Sequence, residues 1–244
     1  MLLSTMYKDS LIAINSDLYG GSFQIDEFNN VIDLINESFV KEKYDEYRAA
    51  GMSRQEIMST KLMVALTTSS ALTFAAGSAN LPADFLFFNA IGYGASGSQY
   101  PVDLVEDDVW VKRQLNSITG PTVTHPIVRI EGVTIKILPS TITTTSVLYY
   151  IKEPTTPFLD YYIDANDNKV FLDAGATDVA VGAGCTTRTG VAGATTVDSA
   201  TVELVFPEDL HSAFFHRILD LLAVRNRDQL TLQATMAKEQ KEMI

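Results

Sequence analysis

One cysteine, Cys185, stands in a chain of 244 residues, so no intrachain disulfide can form and no multi-cysteine zinc site can be built. Histidine is nearly as scarce, with His125, His211 and His216 the only three. His211 and His216 are five apart on an expected helix, roughly 500° of rotation, and do not share a face as ligands four apart do. Both read as surface or interface residues. Cations are short as well: 18 Lys and Arg stand against 30 Asp and Glu, a net charge of −12. That balance argues against a general nucleic-acid-gripping surface. An acidic protein can still surround DNA, because like charge keeps a polyanion sliding. No stretch approaches the roughly 18 apolar residues of a membrane span, and Met1–Asp9 has no basic segment leading into a long apolar run, so no signal peptide is expected. The simplest expectation is a soluble protein made in a reducing cytoplasm.

What is present is ample material for a core, since 46% of residues are hydrophobic and the length suits one large domain or two small ones. Three segments separate by period. Residues 1–75 read as a helical arm. Ser22 can cap a helix with Phe28, Val31, Ile32, Ile35 and Phe39 on one face, continuing through Tyr44 and Tyr47 to Gly51, a residue suited to a C′ position. Ser53-Arg54-Gln55-Glu56 is a capping box opening a second helix with Ile57, Leu62, Val64 and Leu66, antiparallel to the first. Residues 76–206 read as a β domain. Ile127–Ile130 and Val133–Leu138 form a hairpin about Glu131-Gly132, and Val147, Tyr149 and Ile151 alternate. Within it, residues 164–198 are small, polar and glycine-rich, an extended loop or hairpin carrying β-prone pieces at Lys169–Leu172 and Asp178–Val181. Residues 207–244 form a C-terminal helix and tail. Phe206-Pro207-Glu208-Asp209 starts the helix, and Leu210, Phe214, Ile218, Leu221 and Leu222 give it a buried face to about Arg225. The tail 228–244 orders on a partner. The fold class expected is α+β: a bundle from the N-terminal helix pair and the C-terminal helix, with an inserted antiparallel β domain. There is no internal repeat, and no Gly-Ser or Pro-rich linker.

Chemistry-bearing patterns are weak. Asp164-Ala165-Asn166-Asp167-Asn168-Lys169 resembles the start of a calcium loop, but Lys169 stands where glycine is needed and Gly175 where a bidentate glutamate is, so a hairpin turn is the reading. Gly182-Ala183-Gly184 lacks the lysine and helix of a phosphate cradle. Cys185 has only Arg188 near it and reads as an inert loop thiol. No nucleophile elbow occurs and no carboxylate pair stands out, so no enzyme, cofactor or metal site is expected. Glu106, Asp107 and Asp108 suit a helix N-terminus running through Val109, Trp110 and Val111; repeated around a ring they would line a pore or edge with negative charge. Arg225 and Arg227, at the end of the last helix, complement its dipole or meet an acidic neighbouring subunit.

Short signals recur in a definite order: Gly21-Ser22 with Phe28-Asn29, then Leu81-Pro82-Ala83-Asp84-Phe85, the hairpin Gly132 to Pro139, Leu148-Tyr149-Tyr150-Ile151-Lys152-Glu153-Pro154, and the terminal helix. In that order the chain resembles the head-to-tail adaptors of short-tailed phages, the tail-tubular-A type connectors, and is similar to the ring proteins of crAss-like phages. The likeness covers roughly residues 20 to 160 plus the last helix; the 164–198 stretch departs from shorter members and leaves the neck layer open. The resemblance implies a structural virion protein of the neck or tail, synthesised in the host cytoplasm. It implies about twelve copies closing into a ring that joins the portal protein to further neck or tail proteins. DNA would pass through the channel during ejection without sequence-specific binding, and no membrane is involved. The alternative is a monomeric β-sandwich binding module for another virion protein or a host glycan.

Overall fold

The computed structural model describes residues 2–16, 24–94, 100–116, 118, 120–143, 145–182, 184–193 and 195–224. The fold is α+β, with helices and mainly antiparallel sheets. The chain divides into two compact units, one from residues 1–49 and 154–244, the other from residues 50–153. These boundaries differ from the 1–75, 76–206 and 207–244 segments expected from period alone. The 164–198 stretch falls in the unit that holds both chain ends.

That unit begins with a helix the sequence did not announce, α1 (Leu3–Ser16). Leu3, Met6, Tyr7 and Ser10 are buried, the three-and-four spacing of one face, with the Ser10 hydroxyl donating to the Met6 carbonyl at 2.8 Å. Helix α2 (Ile25–Ala49) buries Phe28, Val31, Ile32, Ile35 and Phe39 as the period predicts. Gly51 follows at φ +78°, the left-handed value expected of its position. The Ser22 cap lies outside the described residues. The C-terminal helix is described over 208–224 and buries Phe214, Ile218 and Leu222, whereas Leu221 is partly exposed. It packs on α2 through an aromatic trio, with Phe39–Phe214 rings at 5.3 Å and Phe206–Phe214 at 5.0 Å.

Residues 50–153 carry two four-stranded sheets. The expected second helix is two pieces, α3 (Arg54–Met58) and α4 (Lys61–Leu66). The capping box forms in full, but the Ser59 and Thr60 hydroxyls donate back to the Glu56 and Ile57 carbonyls and end the first helix. Val64 is exposed, and Met63 takes the buried place expected of it. Because α2 belongs to one unit and α3 and α4 to the other, the expected helix pair is not a unit of the fold.

The first sheet orders β1 (Thr67–Thr73), β8 (Thr145–Lys152), β3 (Phe85–Tyr93) and β4 (Tyr100–Pro101); the second orders β2 (Ser78–Asn80), β7 (Thr134–Leu138), β6 (Ile127–Glu131) and β5 (Asp103–Leu104). All pairs are antiparallel except β5 with β6. The two sheets join at both edges. At one, a two-residue turn, Ala76-Gly77, links β1 to β2, with Ala75 and Ser78 exchanging both backbone hydrogen bonds. At the other, the Val102 amide donates to Ile91 of β3 while the next amide, Asp103, donates to Pro126. The result is a barrel-like pair of sheets around one core of Leu72, Phe74, Phe88, Ile91, Val128, Ile135, Ile137 and Leu148.

Two details of strand parity differ from expectation. The hairpin turn is Gly132-Val133, with Gly132 at φ +60°, so Val133 sits exposed at the tip and only Ile135 and Ile137 face the core. In β8 the fully buried set is Ser146, Leu148 and Tyr150 with Ile151; Tyr149 is exposed. Beside the barrel, α5 (Asp107–Leu115) starts at Glu106 as expected, with Trp110 buried.

The glycine-rich stretch is built of short strands. β9 (Tyr161–Ile163) lies between β10 (Lys169–Phe171) and β12 (Thr186–Thr187), and β11 (Val179–Ala180) pairs with β13 (Thr196–Val197).

Candidate functional site

Two of the separated motifs of the resemblance meet in the barrel. Leu81-Pro82-Ala83-Asp84-Phe85 leads into β3 and Leu148–Pro154 runs along β8, the strand paired with β3. The Tyr150 hydroxyl donates to Asp84 Oδ1 at 2.8 Å, the Glu153 amide donates to the Asp84 carbonyl at 2.7 Å, and the Phe85 and Tyr150 rings stack at 5.8 Å. Burial, together with the bond to Asp84, pushes the Tyr150 phenol up to about 12. This constellation fastens one end of the barrel next to the point where the chain passes to the other unit. Its chemistry is that of a latch.

The acidic cluster stands where the sequence placed it, and its charges are largely paired. Asp107 takes Arg129 at 3.2 Å and Asp108 takes Lys112 at 3.0 Å, and the Lys112 bond holds the Asp108 carboxyl below its usual range. Arg129 lies over the Trp110 ring at 5.0 Å and also reaches Glu131 at 3.5 Å, while Lys136 bonds Glu131 and lowers its carboxyl. An open groove of about 410 Å³ runs along this cluster, lined by Arg54, Leu104, Val105, Glu106, Asp107 and Ile130. Mixed charge over an apolar floor suits a protein contact. Exposed pairs of this kind add specificity more than stability. Arg225 and Arg227 lie outside the described residues, as does the 228–244 tail.

In the other unit, α2 holds the extended segment 154–160 through residues that periodicity passes over. Asn29 grips the Leu159 backbone at both ends, donating to its carbonyl at 3.0 Å and accepting from its amide at 2.9 Å. Asn36, two turns on and on the same face, donates to the Pro154 and Thr155 carbonyls at 3.2 Å. Asp160 is buried and accepts from the Tyr161 and Ala200 amides and from Arg188 at 3.3 Å. The Arg188 guanidinium lies 4.7 Å over the Phe158 ring. The signal for the two asparagines was their seven-residue spacing within an apolar face.

Asp164 accepts the Asn166 and Asn168 amides at 2.8 Å each, the geometry of the turn joining β9 to β10, and these bonds hold its carboxyl below its usual value. His211, expected at a surface or interface, is buried because its Nε2 meets the Phe206 carbonyl at 2.7 Å in the helix's first turn. His125 and His216 are exposed, and Cys185 is buried. Among the described residues no group of three His, Cys, Asp or Glu side chains is placed to hold a metal ion, and no helix is long and apolar enough to cross a membrane. Compared with known proteins, the chain matches no family model and no curated sequence.

Proposed function

We propose that this chain is a ring-forming head-to-tail connector subunit of a short-tailed phage virion, joining the portal to the tail and extending the DNA channel. The observation that carries the reading is the meeting of its separated motifs. Asp84 and Tyr150, 66 positions apart, bond to each other in a barrel inserted between two segments that form one helix-bearing unit. The net charge of −12 per chain, multiplied around a closed ring, supports a channel that repels DNA and eases its passage. Paired, exposed charge around Glu106 suits subunit or neighbour contacts better than catalysis.

Negative-stain imaging of the purified protein, alone and with its own phage's portal, tests this directly. Closed rings in either sample are expected. A compact particle that never associates with the portal would replace the connector reading with that of a monomeric binding module.

A further inference from the structure

The glycine-rich stretch folds back on itself as a ribbon between Gly175 and Ser199. β11 pairs with β13, and beyond that pair the Val181 amide donates to the Thr195 carbonyl at 3.0 Å. Further out, the Gly193 amide donates to Cys185 at 2.9 Å and the Thr187 amide to Val191 at 3.0 Å. These bonds run within the ribbon and do not depend on the rest of its unit. Its feet are fastened on the backbone of Asp160. The Leu172 amide donates to the Asp160 carbonyl at 3.1 Å. The Thr201 hydroxyl donates to the Leu172 carbonyl at 2.6 Å and accepts from the Asp160 amide at 3.0 Å.

Between those feet the ribbon is held lightly. Thr186 and Thr187 pair with Ile163 and Tyr162 of β9. Arg188 reaches the Asp160 carboxylate at 3.3 Å and lies 4.7 Å over the Phe158 ring. Among the described residues from 175 to 199, only Val181 and Cys185 are buried. A two-stranded ribbon has no interior of its own, so the unit it rests on covers these two. So little apolar burial marks a segment that opens at far less cost than global unfolding. Lifting it also strands nothing. The bonds inside the ribbon travel with it, and Asp160 keeps the Tyr161 and Ala200 amides as donors, so no bare carboxylate is left behind. What opening uncovers is one edge of β9, whose other edge is held by β10.

We propose that residues 175–199 form a hinged strap that opens as one piece, with Arg188 as its latch and the β9 edge as what it guards. The motion belongs to the single chain and stands apart from the connector reading above.

The chain supplies its own reporter. Cys185 is its one cysteine, 3% exposed and next to the strand pair that opening breaks. The test follows the labelling of full-length protein by an aromatic disulfide reagent across a urea series. In native buffer, labelling is expected to be first order in reagent, slower than in the urea-unfolded chain and only weakly dependent on urea. It should join the steep dependence of global unfolding, read by circular dichroism, only near the main transition. Arg188→Ala, with an unchanged circular dichroism spectrum, is expected to speed native labelling by about tenfold, the effect of losing a charged hydrogen bond. Arg188→Lys keeps the charge but loses the fork and the stacking face, and should fall between. Labelling that follows the global urea dependence throughout overturns the strap, because nothing then opens on its own. Labelling as fast in the native protein as in the unfolded chain overturns it too, because the strap then never shuts. Equal rates in wild type and Arg188→Ala overturn the latch.

Discussion

A buried phenol needs an acceptor, and Tyr150 finds one in Asp84. Tyr150→Phe should lower stability by only about 1 kcal/mol, because Asp84 is exposed and water replaces the lost donor. The alkaline behaviour is more telling. The unfolded chain releases the phenolic proton near pH 10 while the folded chain holds it to about 12, so the stabilisation present below pH 10 is lost as pH rises through that window. Solvent screening limits the loss to about 1 kcal/mol from this residue. Urea titrations at stepped pH should show it, and Tyr150→Phe should shrink it, with Tyr7 and Tyr161, also raised by burial, supplying the remainder. A second residue-scale contrast sits in the β1–β2 turn, where Ala76 and Gly77 both have positive φ, 50° and 77°. Such a turn favours Asn-Gly. Ala76→Asn should therefore raise stability by about 0.5–1 kcal/mol. Gly77→Ala should lower it, since the added Cβ would lie 2.9 Å from Ser140 Cβ as well as straining the backbone. Melting temperatures moving in opposite directions at adjacent positions would verify the turn. Both motifs of the latch were visible as text, but their meeting was not, because a bond between residues 84 and 150 leaves no period in the sequence.

Elements differ in how plainly they announce themselves. Helix α2 and the 208–224 helix were legible because an apolar stripe at three and four has no other economical reading. Helix α1 was not, since Ser4, Thr5, Lys8 and Asp9 dilute a face held by only Leu3, Met6, Tyr7 and Ser10. The break between α3 and α4 lies in hydroxyls turning back on their own helix, which a capping box upstream cannot foretell. Strand β8 was found in the right place with its faces misassigned, because Tyr149 and Tyr150 are equal on a hydropathy scale and the inward face is the one Tyr150 shares with Ser146 and Leu148. The buried asparagines of α2 are the sharpest case, since polar residues on an apolar stripe lower its score while fastening the segment it packs on. Asn29→Ala leaves the Leu159 amide and carbonyl buried and unpaired, so a loss of about 2–3 kcal/mol is expected in denaturant unfolding. Serine at the same position should recover little of it, being too short to meet both groups.

At the scale of the molecule, charge is the quantity the sequence states outright, and assembly the one it leaves to experiment. The 228–244 tail, read as ordering on a partner, gives a prediction of its own. Deleting residues 229–244 should abolish portal binding in a co-sedimentation assay while the thermal transition of the remaining chain stays where it was. Undiminished binding would move the portal contact elsewhere on the chain. The division into units also sets a calendar for biosynthesis. Residues 1–49 share a unit with residues 154–244, yet the ribosome delivers the whole barrel between them. At about 5–20 residues per second, the apolar stripe of α2 waits many seconds for Phe206, Phe214 and Ile218 to emerge, while the barrel has every strand it needs as soon as β8 clears the exit. The nascent protein therefore has an early, self-sufficient middle and a second unit, built from both flanking segments, that closes late. A message truncated before codon 206 would yield a finished barrel trailing an unsheltered helix, a ready client for chaperones and proteases.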